Sequence, residues 1–319
     1  MARESGKVLY AALAGNVAVA VSKFVVAAIS GSSSMMAEAV HSSVDTGNEV
    51  LLLWGMRQSR VPATAAHPFG HGREVCFWSF VVVIMLFAFG GGLSMYDGVR
   101  HIFHPEELEP AFWNYVVLGL SACFEGFSWL VGLRELLCRR RPGRSVWQAL
   151  EFSKDPSVMS VVFEDSAALL GIGIAALGVW SSHHWQLPRL DGAASVCIGL
   201  LLAAVAILFG REVKGLLIGE AADPEVIKAI RQVASCDPDI ESAGDPLTMQ
   251  LAPSQVLLNM ELRFRAGLDR DGIERVIDRI EAEIRRRAPE VTRIYIEAES
   301  LKPHGDEAPT GVSGATRAA

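Results

Sequence analysis

Glu38, His41, Asp45 and Asn48 recur at intervals of three and four residues. On a helix that spacing places all four on one face. The stretch that holds them, residues 35–56, is long enough to cross a bilayer. An ionisable group at the centre of a bilayer costs at least ~2.5 kcal/mol on insertion scales, so such groups turn toward a protein interior or a pathway. An imidazole and a carboxylate one turn apart, His41 and Asp45, suit a borderline divalent cation such as zinc. Asn48 can add an amide oxygen or orient Asp45. Glu38 and Glu49 lie nearer the margins of the stripe or on an adjacent face. The stripe could instead hydrogen-bond a neighbouring span, but four residues in register exceed what packing needs. Metal ligation is the preferred reading.

A second polar pair, Glu164-Asp165, interrupts the apolar run 156–180. Adjacent helical residues diverge by about 100° around the axis, so one of the two points at a given centre. Asp45 and Asp165 would balance a doubly charged ion. With His41 they make three ligands, and Glu164, Asn48 or water can supply the fourth. His67 and His71 stand four residues apart in the loop His67-Pro68-Phe69-Gly70-His71-Gly72. They could bind a second metal or act as helix caps in a turn. No carboxylate stands in Pro62-Ala63-Thr64-Ala65-Ala66 just before them, which favours the turn. His183-His184 reads as a solvated loop pair, and Gly90-Gly91-Gly92 as a place of close helix approach or bending.

These groups sit in a chain of 319 residues that is 50% hydrophobic and 20% charged, with mean hydropathy +0.29. That is too apolar for an ordinary soluble protein of this length. The apolar residues gather into blocks near the ~20 residues a spanning helix needs, at about 8–29, 35–56, 76–98, 112–136, 156–180 and 192–209. The first is better read as a span than as a removed signal, because no small-residue cleavage site follows it. A net charge of -7 gives no sign of a nucleic acid partner. Cys76, Cys123, Cys138, Cys197 and Cys236 show neither metal-ligand nor disulfide-framework spacing and read as small buried residues.

Basic residues mark the cytoplasmic side of short loops. One set of loops holds Arg3, Lys7, Arg57, Arg60, Arg73, Arg139, Arg140, Arg141, Arg144 and Lys154, whereas the alternate set holds Arg100 and Arg189. Both termini are therefore expected in the cytoplasm. After Gly210 charges become dense. Asp223-Pro224-Glu225 is a helix start. Residues 246–252 and 258–265 read as strands, with Leu258, Met260, Leu262 and Phe264 alternating with polar residues. Ile273, Val276, Ile277, Ile280 and Ile284 have helical spacing, and 292–297 alternates again. The expected fold is a membrane α-helical bundle of six transmembrane helices (1–215), then a cytoplasmic α+β domain of order α-β-β-α-β (216–300). A disordered tail is expected over 301–319.

Six spans, His41-x-x-x-Asp45, Asp165, the His67–Gly72 loop and the terminal α+β domain together make the chain resemble the cation diffusion facilitator family over about residues 7–300. Asp45-Thr46-Gly47-Asn48, Glu164-Asp165-Ser166-Ala167-Ala168 and Leu217-Ile218-Gly219-Glu220-Ala221 look most like its zinc transporter 9-like branch. The resemblance implies a homodimer that exports divalent cations, commonly zinc, in exchange for protons, through a central site of His41, Asp45 and Asp165. It also implies a basic–acidic contact near the cytoplasmic surface, for which Arg73 and Glu220 are the candidates. Two departures stand out. Val161 occupies the position one turn before Asp165 where the family often has His or Asp, and residues 221–300 contain no His for a cytoplasmic metal site. Dimerisation is then the role expected of that domain.

The expectation is a proton-coupled divalent metal antiporter, zinc first, in a bacterial inner membrane. The metal and protons are its partners as substrates, and no cofactor is bound permanently. Alternatives are an exporter of iron, manganese or cobalt and a non-transporting metal-sensing scaffold. An intramembrane metalloenzyme would need a motif such as His-Glu-x-x-His, which the sequence lacks.

Overall fold

The computed structural model describes residues 2–30, 33–105, 111–140 and 143–298. Within these, the side chains of residues 2–7, 27, 30, 33–38, 40, 41, 111, 113, 139 and 151 are outside the description, as is the expected tail at 301–319. The chain forms two compact units, Met1–Asp223 with Thr248–Leu257, and Pro224–Leu247 with Leu258–Ala319.

The first unit is helical: α1 (Ala2–Ser30), α2 (Ser33–Gln58), α3 (Glu74–Met85), a π-helical turn (Leu86–Gly92), α4 (Leu93–Phe103), α5 (Ala111–Arg139), the short α6 (Val146–Glu151), α7 (Pro156–Trp185) and α8 (Arg189–Ile218). Among the described residues, five helices are long and apolar enough to span a membrane: Val8–Val26, Glu74–Phe103, Asn114–Cys138, Pro156–Trp185 and Arg189–Ile218. The sixth expected span, α2, is 26 residues long. Its polar stripe lowers its hydropathy, so length and composition alone do not mark it as a span. Outward-facing Phe87, Leu93, Phe127, Leu170 and Leu200 are each half exposed or more, as expected of side chains that meet lipid rather than protein.

α1 packs on α2 and α5, α7 on α5 and α8, and α4 on α8. Small residues set how closely these helices approach. A Cβ on Gly98 would lie 2.6 Å from Val196 N and 2.7 Å from Gly192 O, so α4 and α8 touch backbone to backbone there. The π turn ends on Gly90-Gly91-Gly92, and a Cβ on Gly91 would meet Ala203 at 3.2 Å. α7 opens with Asp155, whose side chain accepts from Ser157 N at 3.2 Å, and with Pro156 in the first turn.

The expected burial of the cysteines holds for Cys76 alone. Cys123, Cys138, Cys197 and Cys236 are exposed. Three of these lie on α5 and α8, where the lipid-facing side of a span is as apolar as its core, so an apolar position does not imply a buried one.

The second unit holds α9 (Pro224–Cys236), β1 (Ile240–Ala243), most of β3 (Gln255–Phe264), α10 (Arg270–Arg287) and β4 (Val291–Ala298). β3 pairs antiparallel with β1, with Ile240 opposite Phe264 and Ala243 opposite Leu262, and also pairs with β4. β1 corrects the expected order: four residues with one buried side chain give no readable alternation. Val226, Ile230 and Val233 of α9 and Val276, Ile280 and Ile284 of α10 are buried, as are Leu258, Met260 and Leu262 of β3. Arg279 bridges Asp237 and Asp239 at 2.7 and 2.8 Å, which ties α10 to the turn before β1. β2 (Leu247–Ala252) and β3 form a hairpin whose tip, Thr248–Leu257, belongs to the first unit.

Candidate metal centre

α2, α5 and α7 carry the buried polar groups. On α2, Asp45 is half-buried, Asn48 is 2% exposed and Glu49 is fully buried. Asn48 Oδ1 and both Glu49 carboxylate oxygens have no hydrogen-bond partner among the described residues. The backbone places His41 one turn before Asp45, while the side chains of His41 and Glu38 lie outside the described residues.

On α7, Asp165 is 2% exposed and its Oδ2 is likewise unpartnered. Glu164 is turned back one helical turn, where its Oε1 accepts from Ser160 Oγ at 2.6 Å. The two acids thus diverge as adjacent helical residues must. Trp129 Nε1 of α5 donates to Ser166 Oγ at 2.8 Å and pins α5 against α7 beside this pair. Gly132 lets α5 approach closely, since a Cβ there would lie 3.1 Å from Val161.

Glu125 of α5 joins these groups, and no motif spacing announced it. It interacts directly with Asp165 and lies close enough to Asp45 and Glu164 to act on them electrostatically. Glu49 lies within electrostatic reach of Asp45, Glu125, Glu164 and Asp165. The available signal was its place, an acid in the middle of an apolar span. Among the described residues no three His, Cys, Asp or Glu side chains meet the geometry of a bound ion, and the His41 ring is not among them.

An apolar layer lies one to two turns from the acids. Leu9 of α1, Leu52 and Met56 of α2, Val82 of α3 and Val161 of α7 pack together, with Val131 of α5 against them. Val161 is therefore a core residue of this layer, fully buried, which gives a physical role to the apolar side chain one turn before Asp165.

The loop after α2 is a separate place. The His67 and His71 rings lie 4.5 Å apart, and His71 Nδ1 donates to Pro62 O at 3.2 Å. A cavity of about 570 Å³ opens beside them, lined also by Arg73, Phe77, Met249 and Leu251. The β2–β3 tip fits the loop so tightly that a Cβ on Gly72 would lie 2.6 Å from Ala252 Cβ and 2.8 Å from Leu251 O.

The candidate contact between Arg73 and Glu220 finds other partners here. Glu220 pairs with Lys154 at 3.0 Å, while Arg73 Nη2 donates to Met249 Sδ at 2.8 Å. Arg73 still passes close to the start of that segment, 3.0 Å from where a Gly219 Cβ would be. Next to it, Arg144 grips Asp223 through two bonds of 2.6 and 2.8 Å and covers the Phe152 ring. His183 donates to Val179 O at 2.9 Å and His184 stacks on Trp180 at 5.1 Å, so this pair is held by the end of α7 rather than by solvent alone.

Comparison with known proteins places this arrangement. Residues 9–218 match the cation efflux transmembrane domain. The proton-coupled zinc antiporter SLC30A9, mitochondrial, of Homo sapiens is 32% identical over 275 residues, 86% of this chain and 47% of the relative. The protein of the same name from Xenopus laevis is 33% identical over 250 residues, 78% of this chain and 43% of its own length. The cation-efflux pump FieF of Klebsiella pneumoniae is 27% identical over 261 residues, 81% of each. The chain thus spans about half the length of the zinc antiporters it matches. Its helical unit, with buried acids on α2 and α7 and a half-buried one on α5, belongs to a multi-pass integral membrane protein, and the chain is a member of the cation efflux family.

Proposed function

We propose that the chain is a proton-coupled antiporter that moves divalent metal cations, zinc first, out of the cytoplasm. The observation that supports this reading is the group of acids on α2, α5 and α7 within electrostatic reach of one another, of which Glu49 and Asp165 are buried with oxygens that have no partner among the described residues. Such groups are costly inside a membrane and mark ion or proton pathways. His41, Asp45 and Asp165 would hold the metal. Glu125, Glu164 or Asn48 would complete the donor set around it, and His67 and His71 offer a further place where an ion could dwell near the membrane surface.

The chemistry follows from the donors. A metal binds deprotonated carboxylates and a neutral imidazole, so protons compete for the same lone pairs. Protons arriving from the far side would displace the metal there and be released when metal rebinds. Access must then alternate. The layer of Leu9, Leu52, Met56, Val82 and Val161 lies toward the N-terminus of α1 and the C-terminus of α2, and the basic loops support a cytoplasmic side there. Parting this layer by rocking α2 and α7 against their neighbours would open the acids to the cytoplasm.

The names of the zinc antiporters above support zinc as the substrate. The relative named as a cation-efflux pump keeps iron, manganese and cobalt as the second reading, since oxygen donors suit these ions too. A bacterial inner membrane, cytoplasmic termini and a homodimer joined through the second unit complete the proposal. The test is flux into proteoliposomes: zinc movement should follow an imposed pH gradient and acidify the metal-donor compartment. Zinc movement that ignores the gradient removes the antiport reading.

A further inference from the structure

Lys23 is an ionisable group of α1 that the metal centre above does not use. It is the one charged residue of the span Val8–Val26, and its ammonium donates to Ser42 Oγ on α2 at 2.9 Å. Ser42 follows His41 directly and precedes Asp45 by three residues. The same ammonium acts on Glu125 of α5, the acid in contact with Asp165. A lysine facing lipid would extend its stem toward the interface. This one is half-buried, tied to Ser42 beside the proposed ligands of α2 and within electrostatic reach of Glu125 on α5. The acids around that region are Asp45 and Glu49 on α2, Glu125 on α5, and Glu164 and Asp165 on α7.

A transporter of ions has a requirement that a storage site lacks: the bound ion must leave. Several carboxylates around one cation would hold it too tightly. A fixed positive charge within several ångströms opposes a second cation, and it does so more strongly in a protein interior than in water. We propose that Lys23 is a tethered counter-ion of this cluster, whose ammonium balances the acids when no metal is bound and gives way to the divalent cation during transport. Its charge lowers the affinity of the centre and so speeds release. The inference rests on the metal-transport reading and adds to it a residue that sets affinity against turnover without touching the metal.

The full-length protein tests this by zinc titration calorimetry in detergent and by zinc flux in proteoliposomes. Lys23→Gln keeps a donor for Ser42 Oγ and removes the charge, while Lys23→Arg keeps the charge. Lys23→Gln should bind zinc roughly tenfold tighter or more, with a lower KM and a lower maximal rate. Lys23→Arg should restore both toward wild type. A lysine that merely ties α1 to α2 would do the opposite, with weaker zinc binding and a lower melting temperature in Lys23→Gln. Unchanged or weaker zinc binding by Lys23→Gln, with wild-type binding and flux intact, overturns the inference alone. Should that variant not be monodisperse, Lys23→Met puts the same question to the charge. Absence of zinc binding and flux in the wild-type protein would instead remove the transport reading, and this inference with it.

Discussion

At the scale of single residues, the proposed centre makes the acids of α2 and α7 the first test. Asp45→Ala and Asp165→Ala should each abolish zinc flux, because a metal held between α2 and α7 loses most of its affinity when either helix loses its carboxylate. Both variants should still fold and insert, since Asp165→Ala removes a buried polar group and Asp45→Ala a half-buried one. Flux in proteoliposomes, beside size-exclusion of the same samples, checks this, and wild-type flux by Asp165→Ala would remove the proposed centre. His41→Asp keeps a ligand but makes it harder, so competition assays should show preference moving from zinc toward metals that favour oxygen. Glu49 is fully buried, and neither of its carboxylate oxygens has a partner among the described residues. Glu49→Gln should therefore raise the melting temperature by roughly 2 °C or more, while flux falls. A lower melting temperature with unchanged flux would make Glu49 a structural residue instead.

At the scale of elements, close contacts and ion pairs set what can change. Gly98 of α4 meets backbone atoms of α8, which cannot swing aside as a side chain can. Gly98→Ala should cost about 1–3 kcal/mol through forced separation of the two helices, and thermal melting of the variant measures it. In the second unit, Arg279 beside Asp237 holds that carboxyl below its ordinary range, chiefly through the hydrogen bonds between them. A carboxyl lowered on folding contributes stability above its unfolded value, and that contribution is lost as pH falls through the folded value. Arg279→Ala should thus lower the melting temperature near neutral pH, and the gap to wild type should close in acid. A gap independent of pH would mean that lost packing, not charge, is responsible. Glu283 is similarly drawn down, to about 2, by its hydrogen bonds to Arg286 and Arg287, but these pairs lie at the surface between near neighbours of one helix and are expected to matter little.

At the scale of the whole molecule, the antiport reading makes the pH gradient the driving force. Collapse of the gradient should stop zinc accumulation in vesicles while slow exchange of zinc across them continues, and a trapped pH indicator should record the counter-moving protons. With no His between residues 221 and 300, zinc should bind to the helical unit. Replacement of Asp45 and Asp165 together should leave the full-length protein without tight zinc binding by calorimetry, whereas a tight site remaining in that double variant would assign metal to the second unit or to His67 and His71.

Local pattern determined a good deal of this molecule. Long apolar runs must become helices in a membrane, because only a helix satisfies its own backbone there, so the positions of α1, α5, α7 and α8 followed from hydropathy alone. The stripe through Asp45 and the pair Glu164-Asp165 were visible because charge is rare in such runs. Alternation in β3 and the spacing of Val276, Ile280 and Ile284 in α10 were equally plain. Other features depend on residues far apart in the chain, which no local period encodes. Glu125 matters because α5 carries it against Asp165, a contact created by packing at Gly132 and by the Trp129–Ser166 bond. Lys154 rather than Arg73 reaches Glu220, and Val161 proves to be part of an apolar layer drawn from several helices. β1 has one buried residue and exists because β3 offers it an edge. Burial and charge pairing are properties of neighbours in space, and the fold alone chooses those neighbours.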